Sequence, residues 1–433
     1  MGVLTPRPRT RTSGTRALQR AFGVLAVTGV CLTTAPPAVA TAAPAAPAAP
    51  TVPTRLAADD NPSFGLSSSS ECDFGGDVIK ATPWSLQRVL LDQLRAQATG
   101  KGVTVAVIDT GVDDSNPQLR GAMAPGGKNY VGKGDGTEDI EGHGTRVAGI
   151  IAAREMPGTG FAGIAPKAKI LSLRYTGGEE KQGDSGTMSA AINDAVAKGA
   201  DVINISSDTA NKKDNATLRN TVANAVKAGA LIVAASGNDG ANGKSADTYP
   251  ASYPGVLAVA ASDRNDERAF FSQAGDFVDV AAPGVGMVST VPKGGQCAAD
   301  GTSFAAPYVA GVAALLKEKH PDWSAAQITT RIQESAQRPG REANRYLGWG
   351  VVDPVAALSD DSEPGTRPQP DPPVAQGASE VIPMAVTMGE TEAEQERRVA
   401  MYVVGAGLLL VLVASGSGVA VRDWRNKRAR QSG

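Results

Sequence analysis

From residue 103 onward, short apolar runs alternate with stretches of helical periodicity, and this rhythm constrains the fold more than any other feature. The runs at 103–108, 169–174, 201–206, 231–235, 256–261 and 278–282 suit strands buried on both faces of a parallel sheet. Helical patterns lie between them at 187–197 and 217–227, and two more follow at 303–318 and 325–336. Alternation of this kind predicts an α/β fold, a central parallel sheet with helices on both faces. In such sheets the reactive groups gather at the carboxyl ends of the strands. The 50 glycines and few aromatics fit a globular, turn-rich chain of this class.

The two ends read differently from the middle. Arg7, Arg9, Arg11, Arg16 and Arg20 precede an apolar run over 21–32 and then Ala38-Val39-Ala40, the layout of a secretory signal peptide over 1–40. Residues 399–421 form a stretch of 23 residues without a charge. At about 1.5 Å per residue that is enough to span a bilayer. Arg422, Arg425, Lys427, Arg428 and Arg430 follow directly, so positive charge places the tail at 422–433 in the cytoplasm. The chain is thus expected in the cell membrane as a single-pass protein, its body extracytoplasmic. Between them lie an N-terminal extension at 41–82, Ala/Pro-rich at first, an α/β body at 83–357 and a Pro- and acid-rich stalk at 358–398.

The net charge of −2 hides an acidic body, because residues 41–421 hold 32 basic against 43 acidic residues. That argues against a nucleic-acid partner, which needs a basic footprint. With the signal removed two cysteines remain, Cys72 and Cys297, and an even count in an oxidising compartment suggests one disulfide.

There are only two histidines. His320, in Lys319-His320-Pro321 at a helix end, reads most simply as a cation at the negative end of the helix dipole. His143, in Gly142-His143-Gly144-Thr145, is the candidate general base, with flanking glycines that let the backbone approach a substrate. Asp109 closes a buried strand, where a carboxylate needs a donor such as an imidazole N–H; a turn-capping role is the plain alternative. Ser303 opens a long Ala-rich helix whose free N–H groups suit an oxyanion, though an N-cap serine looks the same. Pro307, four residues on, is placed in the first turn. Asn238, in Ser236-Gly237-Asn238-Asp239-Gly240, is either an oxyanion donor or a turn residue.

Taken together, Val107-Ile108-Asp109-Thr110-Gly111, His143-Gly144-Thr145-Arg146-Val147-Ala148-Gly149 and Gly301-Thr302-Ser303-Phe304-Ala305-Ala306-Pro307 resemble the three signature boxes of the subtilases, subtilisin-like serine proteases of peptidase family S8. Ser236-Gly237-Asn238 resembles that family's oxyanion box. The resemblance implies the subtilisin-type α/β fold, with Asp109 as orienter, His143 as base, Ser303 as nucleophile, and Asn238 with the Ser303 N–H as the oxyanion hole. It implies Ser206, Ser207 and Gly237 at the substrate groove. Where the family carries Ser-Leu-Gly, this chain has Ser206-Ser207-Asp208. The signal, short extension, stalk and anchor further resemble mycosins, the subtilases associated with type VII secretion.

The expected function is hydrolysis of protein or peptide substrates through an acyl-enzyme, without a cofactor or metal, near type VII secretion machinery. Structural calcium is common in the family, but the sequence assigns no site for it. The alternative is a scaffold that stabilises a secretion complex with proteolysis dispensable. Retention of all three triad residues favours the enzyme.

Overall fold

The structure is a computed structural model and describes residues 64–65, 73–177, 182–209, 213–243, 246–338, 340–372 and 390–431. The signal-peptide reading, Cys72 and stalk residues 373–389 lie outside the described residues. In chain order come β1 (Phe64–Gly65), α1 (Trp84–Gln87), α2 (Leu91–Gln97), β2 (Thr104–Asp109), β3 (Lys128–Asn129) and α3 (His143–Ala152). Then follow β4 (Lys169–Arg174), α4 (Ser185–Ala197), β5 (Val202–Ile205), β6 (Asp208–Thr209), α5 (Ala216–Lys227), β7 (Leu231–Ala235), β8 (Val256–Ser262) and β9 (Val280–Pro283). A hairpin of β10 (Met287–Thr290) and β11 (Gln296–Ala299) precedes α6 (Thr302–Lys319), α7 (Ala325–Glu334), α8 (Pro354–Ser359) and α9 (Glu392–Gln431).

Seven strands make one parallel sheet in the order β3-β4-β2-β5-β7-β8-β9. The six strands expected from apolar runs are β2, β4, β5, β7, β8 and β9. Side-chain alternation feeds two cores. Val105, Val107, Val202 and Val233 face the layer that holds α3 and α6. Ala106, Ile108, Ile203 and Ile232 face the layer of α4 and α5. Both faces are therefore covered, which is why these strands read as continuous apolar runs rather than alternating ones.

Helix starts follow local chemistry. Asp184 with Thr187 and Ser324 with Gln327 form capping boxes for α4 and α7, and Asn215 caps α5. The helices that begin at His143 and Thr302 start differently: glycines 142 and 301 occupy their N-cap positions and no N-cap side chain bonds to either.

Four expectations change. Pro307 is the sixth residue of α6 rather than in its first turn, so the helical bond that would reach the Ser303 carbonyl is missing. His320 stacks flat on Trp323, with ring centroids 3.7 Å apart, and burial together with Lys319 lowers its pKa; it is a packed ring rather than a helix-end cation. The stalk begins later than expected: Arg331 pairs with Asp360, Arg338 Nη2 lies 2.5 Å from Asp371 Oδ1, and Arg341 Nε donates to the Asp371 carbonyl at 2.8 Å. These contacts hold residues 360–371 on the body. Lastly, α9 is helical well beyond the apolar stretch at both ends and is long and apolar enough to cross a membrane.

Asp279, at the edge of the sheet, is buried, and burial raises its pKa from 3.8 to about 7, although Ala258 N–H and Gln333 Nε2 both donate to it. The folded protein therefore holds this proton where the unfolded chain has released it. Stability contributed by the protonated form is complete below about pH 4 and is lost as pH rises to about 7, by on the order of 3–4 kcal/mol. Asp279→Asn is expected to flatten that loss in unfolding measured at a series of pH values; an unchanged slope would remove Asp279 as its cause.

Candidate active site

Two strand ends, those of β2 and β7, and two helix starts supply the site. Asp109 is the last residue of β2, His143 the first of α3, and Ser303 the second of α6. All three are buried. His143 Nδ1 lies 2.8 Å from Asp109 Oδ1, which also accepts from the Thr110 N–H at 2.8 Å. The ring sits against Phe304, centroids 5.4 Å apart, so the residue after Ser303 supports it from the α6 side. His143 Nε2 and Ser303 Oγ are each buried without a hydrogen-bond partner among the described residues. The relay is closed between acid and imidazole and open between imidazole and hydroxyl.

The chain brings α3 to β2 through glycine. A Cβ on Gly144 would lie 2.0 Å from the Gly111 carbonyl oxygen and 3.1 Å from Asp109 Cβ, so only hydrogen fits there. The glycine after His143 thus serves helix–strand packing, where the sequence suggested substrate approach. On its other side α3 is held by β10: Ser289 Oγ donates to the Arg146 carbonyl and Thr290 Oγ1 to the Thr145 carbonyl, at 2.6 and 2.9 Å.

Asp139 was not singled out by sequence, yet it organises this corner. It is buried, and it accepts from Thr110 Oγ1, Gly142 N–H, Thr145 N–H and Thr145 Oγ1 at 2.6–2.8 Å. A carboxylate thereby meets the exposed N–H groups at the start of α3 and, through Thr110, the backbone beside Asp109. Burial raises its pKa in spite of the bonds from Thr145 and Thr110. Its position four residues before a histidine that opens a helix was the available signal.

Asn238 lies just past β7. Its Oδ1 accepts from both the N–H and the Oγ1 of Thr302, each at 2.9 Å, which fixes the amide against the start of α6. Nδ2 then lies toward Gly301, 3.7 Å from where a Cβ on that residue would sit. The same Cβ would be 2.9 Å from Ser303 Oγ. With φ of 155°, Gly301 leaves clear the space between amide and hydroxyl that a side chain would fill. Donors so placed suit charge developing on a carbonyl oxygen.

The substrate-groove residues separate. Ser206 and Ser207 are buried, with Ser206 Oγ accepting from Asn204 Nδ2 and Ser207 Oγ bonded to Tyr175 Oη, so their hydroxyls are turned inward. Gly237 N–H donates to Thr302 Oγ1 at 3.2 Å, beside the start of α6. Asp208, partly exposed, lies on it: a Cβ on Gly237 would be 2.8 Å from Asp208 Oδ2. Asp208–Thr209 also pairs antiparallel with Phe64–Gly65. Cys297, on β11, is not free, and Cys72 lies outside the described residues. Among the described residues no group of three or more His, Cys, Asp or Glu could hold a metal.

Comparison with known proteins agrees with this geometry. Subtilisin BL of Lederbergia lenta is 39% identical over 279 residues, 64% of this chain and 99% of that protein. Among solved structures, MycP1 from Mycobacterium smegmatis matches with a TM-score of 0.59 at 32% identity, covering 70% of this chain and 92% of that one. The MycP3 protease from the type VII (ESX-3) secretion system matches with a TM-score of 0.59 at 33% identity, covering 65% and 90%. Both are mycosins. The profile of Peptidase_S8, the Subtilase family, matches residues 100–350. With more than half its length matched, the chain belongs to the subtilase family and is a subtilisin-like serine protease.

Proposed function

We propose that this chain is a membrane-anchored endopeptidase, working outside the cytoplasmic membrane beside a type VII secretion system, with Asp109, His143 and Ser303 as its catalytic relay. The observation that carries the reading is the 2.8 Å contact of His143 Nδ1 with Asp109 Oδ1, with Nε2 and Ser303 Oγ both unpaired. Asp109 holds the proton on Nδ1 and leaves Nε2 as the base. Nε2 takes the Ser303 proton as Oγ attacks the scissile carbonyl, and the Asn238 amide with the Ser303 N–H stabilises the oxyanion. The imidazolium returns the proton to the leaving amine, giving an acyl-enzyme. Water then repeats the sequence and frees the carboxylate product.

The anchor rests on α9 and the arginines at its end; the secretion link rests on likeness to the mycosins. A Cys72–Cys297 bridge belongs to the same proposal, and peptide mapping without reduction would detect it. In the producing cell, Ser303→Ala is expected to leave specific secreted proteins uncut while the protein stays in the membrane. If the variant changes no secreted protein's termini and deletion alone stops export, the scaffold reading replaces this one.

A further inference from the structure

A buried cation stands between the starts of α3 and α6, outside the relay of Asp109, His143 and Ser303. Arg146 lies one turn after His143 on α3 and is 4% exposed. Its backbone N–H and its Nε both donate to the Gly142 carbonyl, at 3.2 and 3.1 Å. The peptide that leads into His143 is thus held twice by the same residue. Gly142 has φ of 75° and offers no side-chain cap, so these bonds and the Gly142 N–H bond to Asp139 fix the turn. The guanidinium also lies over the Phe304 ring, with Cζ 5.3 Å from the centroid. Phe304 follows Ser303 and packs on the His143 ring. Arg146 therefore touches the chain just before the base and the side chain just after the nucleophile.

Its charge matters as well as its packing. Asp109 and Asp139 are both buried in this corner. Burial lowers the Arg146 pKa, and Asp139 and then Asp109 oppose that shift, so the three charges sit within one another's field. The other charged groups facing the corner are Glu141, on the turn before α3, and Arg174 on β4. From α6 and β10 come Phe304, Ser289 and Thr290, which carry no charge. Without Arg146 the carboxylates would hold a proton on the imidazole more tightly, and a protonated Nε2 cannot accept from Ser303.

We propose that Arg146 is a positioning residue for hydrolysis. It holds the Gly142 peptide and the Phe304 ring so that His143 faces Ser303, and its charge offsets Asp109 and Asp139 so that the imidazole serves as base near neutral pH. It touches no reacting atom. This inference deepens the protease reading and rests on it.

The test follows labelling of the full chain in detergent by a peptide diphenyl phosphonate of neutral sequence, as kinact and KI over a series of pH values. In the unsubstituted chain the rate is expected to climb along an acid limb as the base loses its proton. Arg146→Met is expected to move that limb up by about one pH unit and to lower the plateau of kinact by about tenfold, with KI little changed. Arg146→Lys keeps the charge and loses the planar donor, so its limb should stay in place while kinact still falls. A folded Arg146→Met whose limb does not move, or an Arg146→Lys that moves it as far, overturns the role of Arg146 alone. If Arg146→Met does not fold, Arg146→Lys and Phe304→Leu decide, singly and together. Changes at one contact are expected to cost less together than the sum of the two, and additive losses overturn the proposal. A folded, unsubstituted chain that the phosphonate does not label overturns the protease reading and this inference with it.

Discussion

Ser303→Ala is expected to lower kcat for peptide hydrolysis by on the order of a million-fold, leaving only the catalysis that binding and the oxyanion donors supply. The size follows from the site's construction. With Oγ gone, His143 has no hydroxyl to deprotonate, and the Asp109–His143 contact at 2.8 Å has nothing to act on. The substitution removes one buried, unpaired oxygen from the start of α6, so unfolding is expected to change little. Steady-state kinetics with the purified chain decides it. A residual rate within a hundredfold of the original would mean that another nucleophile operates.

Asp109→Asn is expected to cost about ten-thousandfold in kcat at neutral pH, with little change in KM. Asp109 Oδ1 accepts from His143 Nδ1 and from the Thr110 N–H. An asparagine that keeps the Thr110 bond through its oxygen can present only an amide N–H elsewhere. Presented to the ring, that N–H favours the tautomer protonated on Nε2, and the base is then on the wrong nitrogen. Because the chain has only His143 and His320, ¹⁵N-histidine spectra of a His320→Gln background report the His143 tautomer directly. The expected shift is from Nδ1–H to Nε2–H. An unchanged tautomer with full activity would show that Asp109 does not orient the ring.

Much of the frame was readable because it depends on periodicity. A sheet covered on both faces leaves apolar runs such as Val105–Val107 and Ile203–Ile205, and those runs end where Asp109 and the groove begin. The helices at Ser185–Ala197 and Ala216–Lys227 announce themselves through Asp184 and Asn215 at their caps. What stayed hidden depends on long-range contact. The hairpin β10–β11 is short, and its Ser289 and Thr290 read as ordinary polar residues until they meet the carbonyls of α3. Asp139 resembles any loop acid until Thr110, Gly142 and Thr145 converge on it. Ser206 and Ser207 mark the groove by position along the chain, but side-chain direction there is set by Asn204 and Tyr175. Residues 360–371 look like linker in composition and are held by arginines in and just after α7.

The most direct test of the relay is mass mapping of the full chain after reaction with a diphenyl phosphonate peptide. A single adduct on Ser303, absent from His143→Ala at the same probe concentration, is the predicted result. A folded chain that takes no adduct, or takes it equally without His143, would contradict a relay built from these three residues.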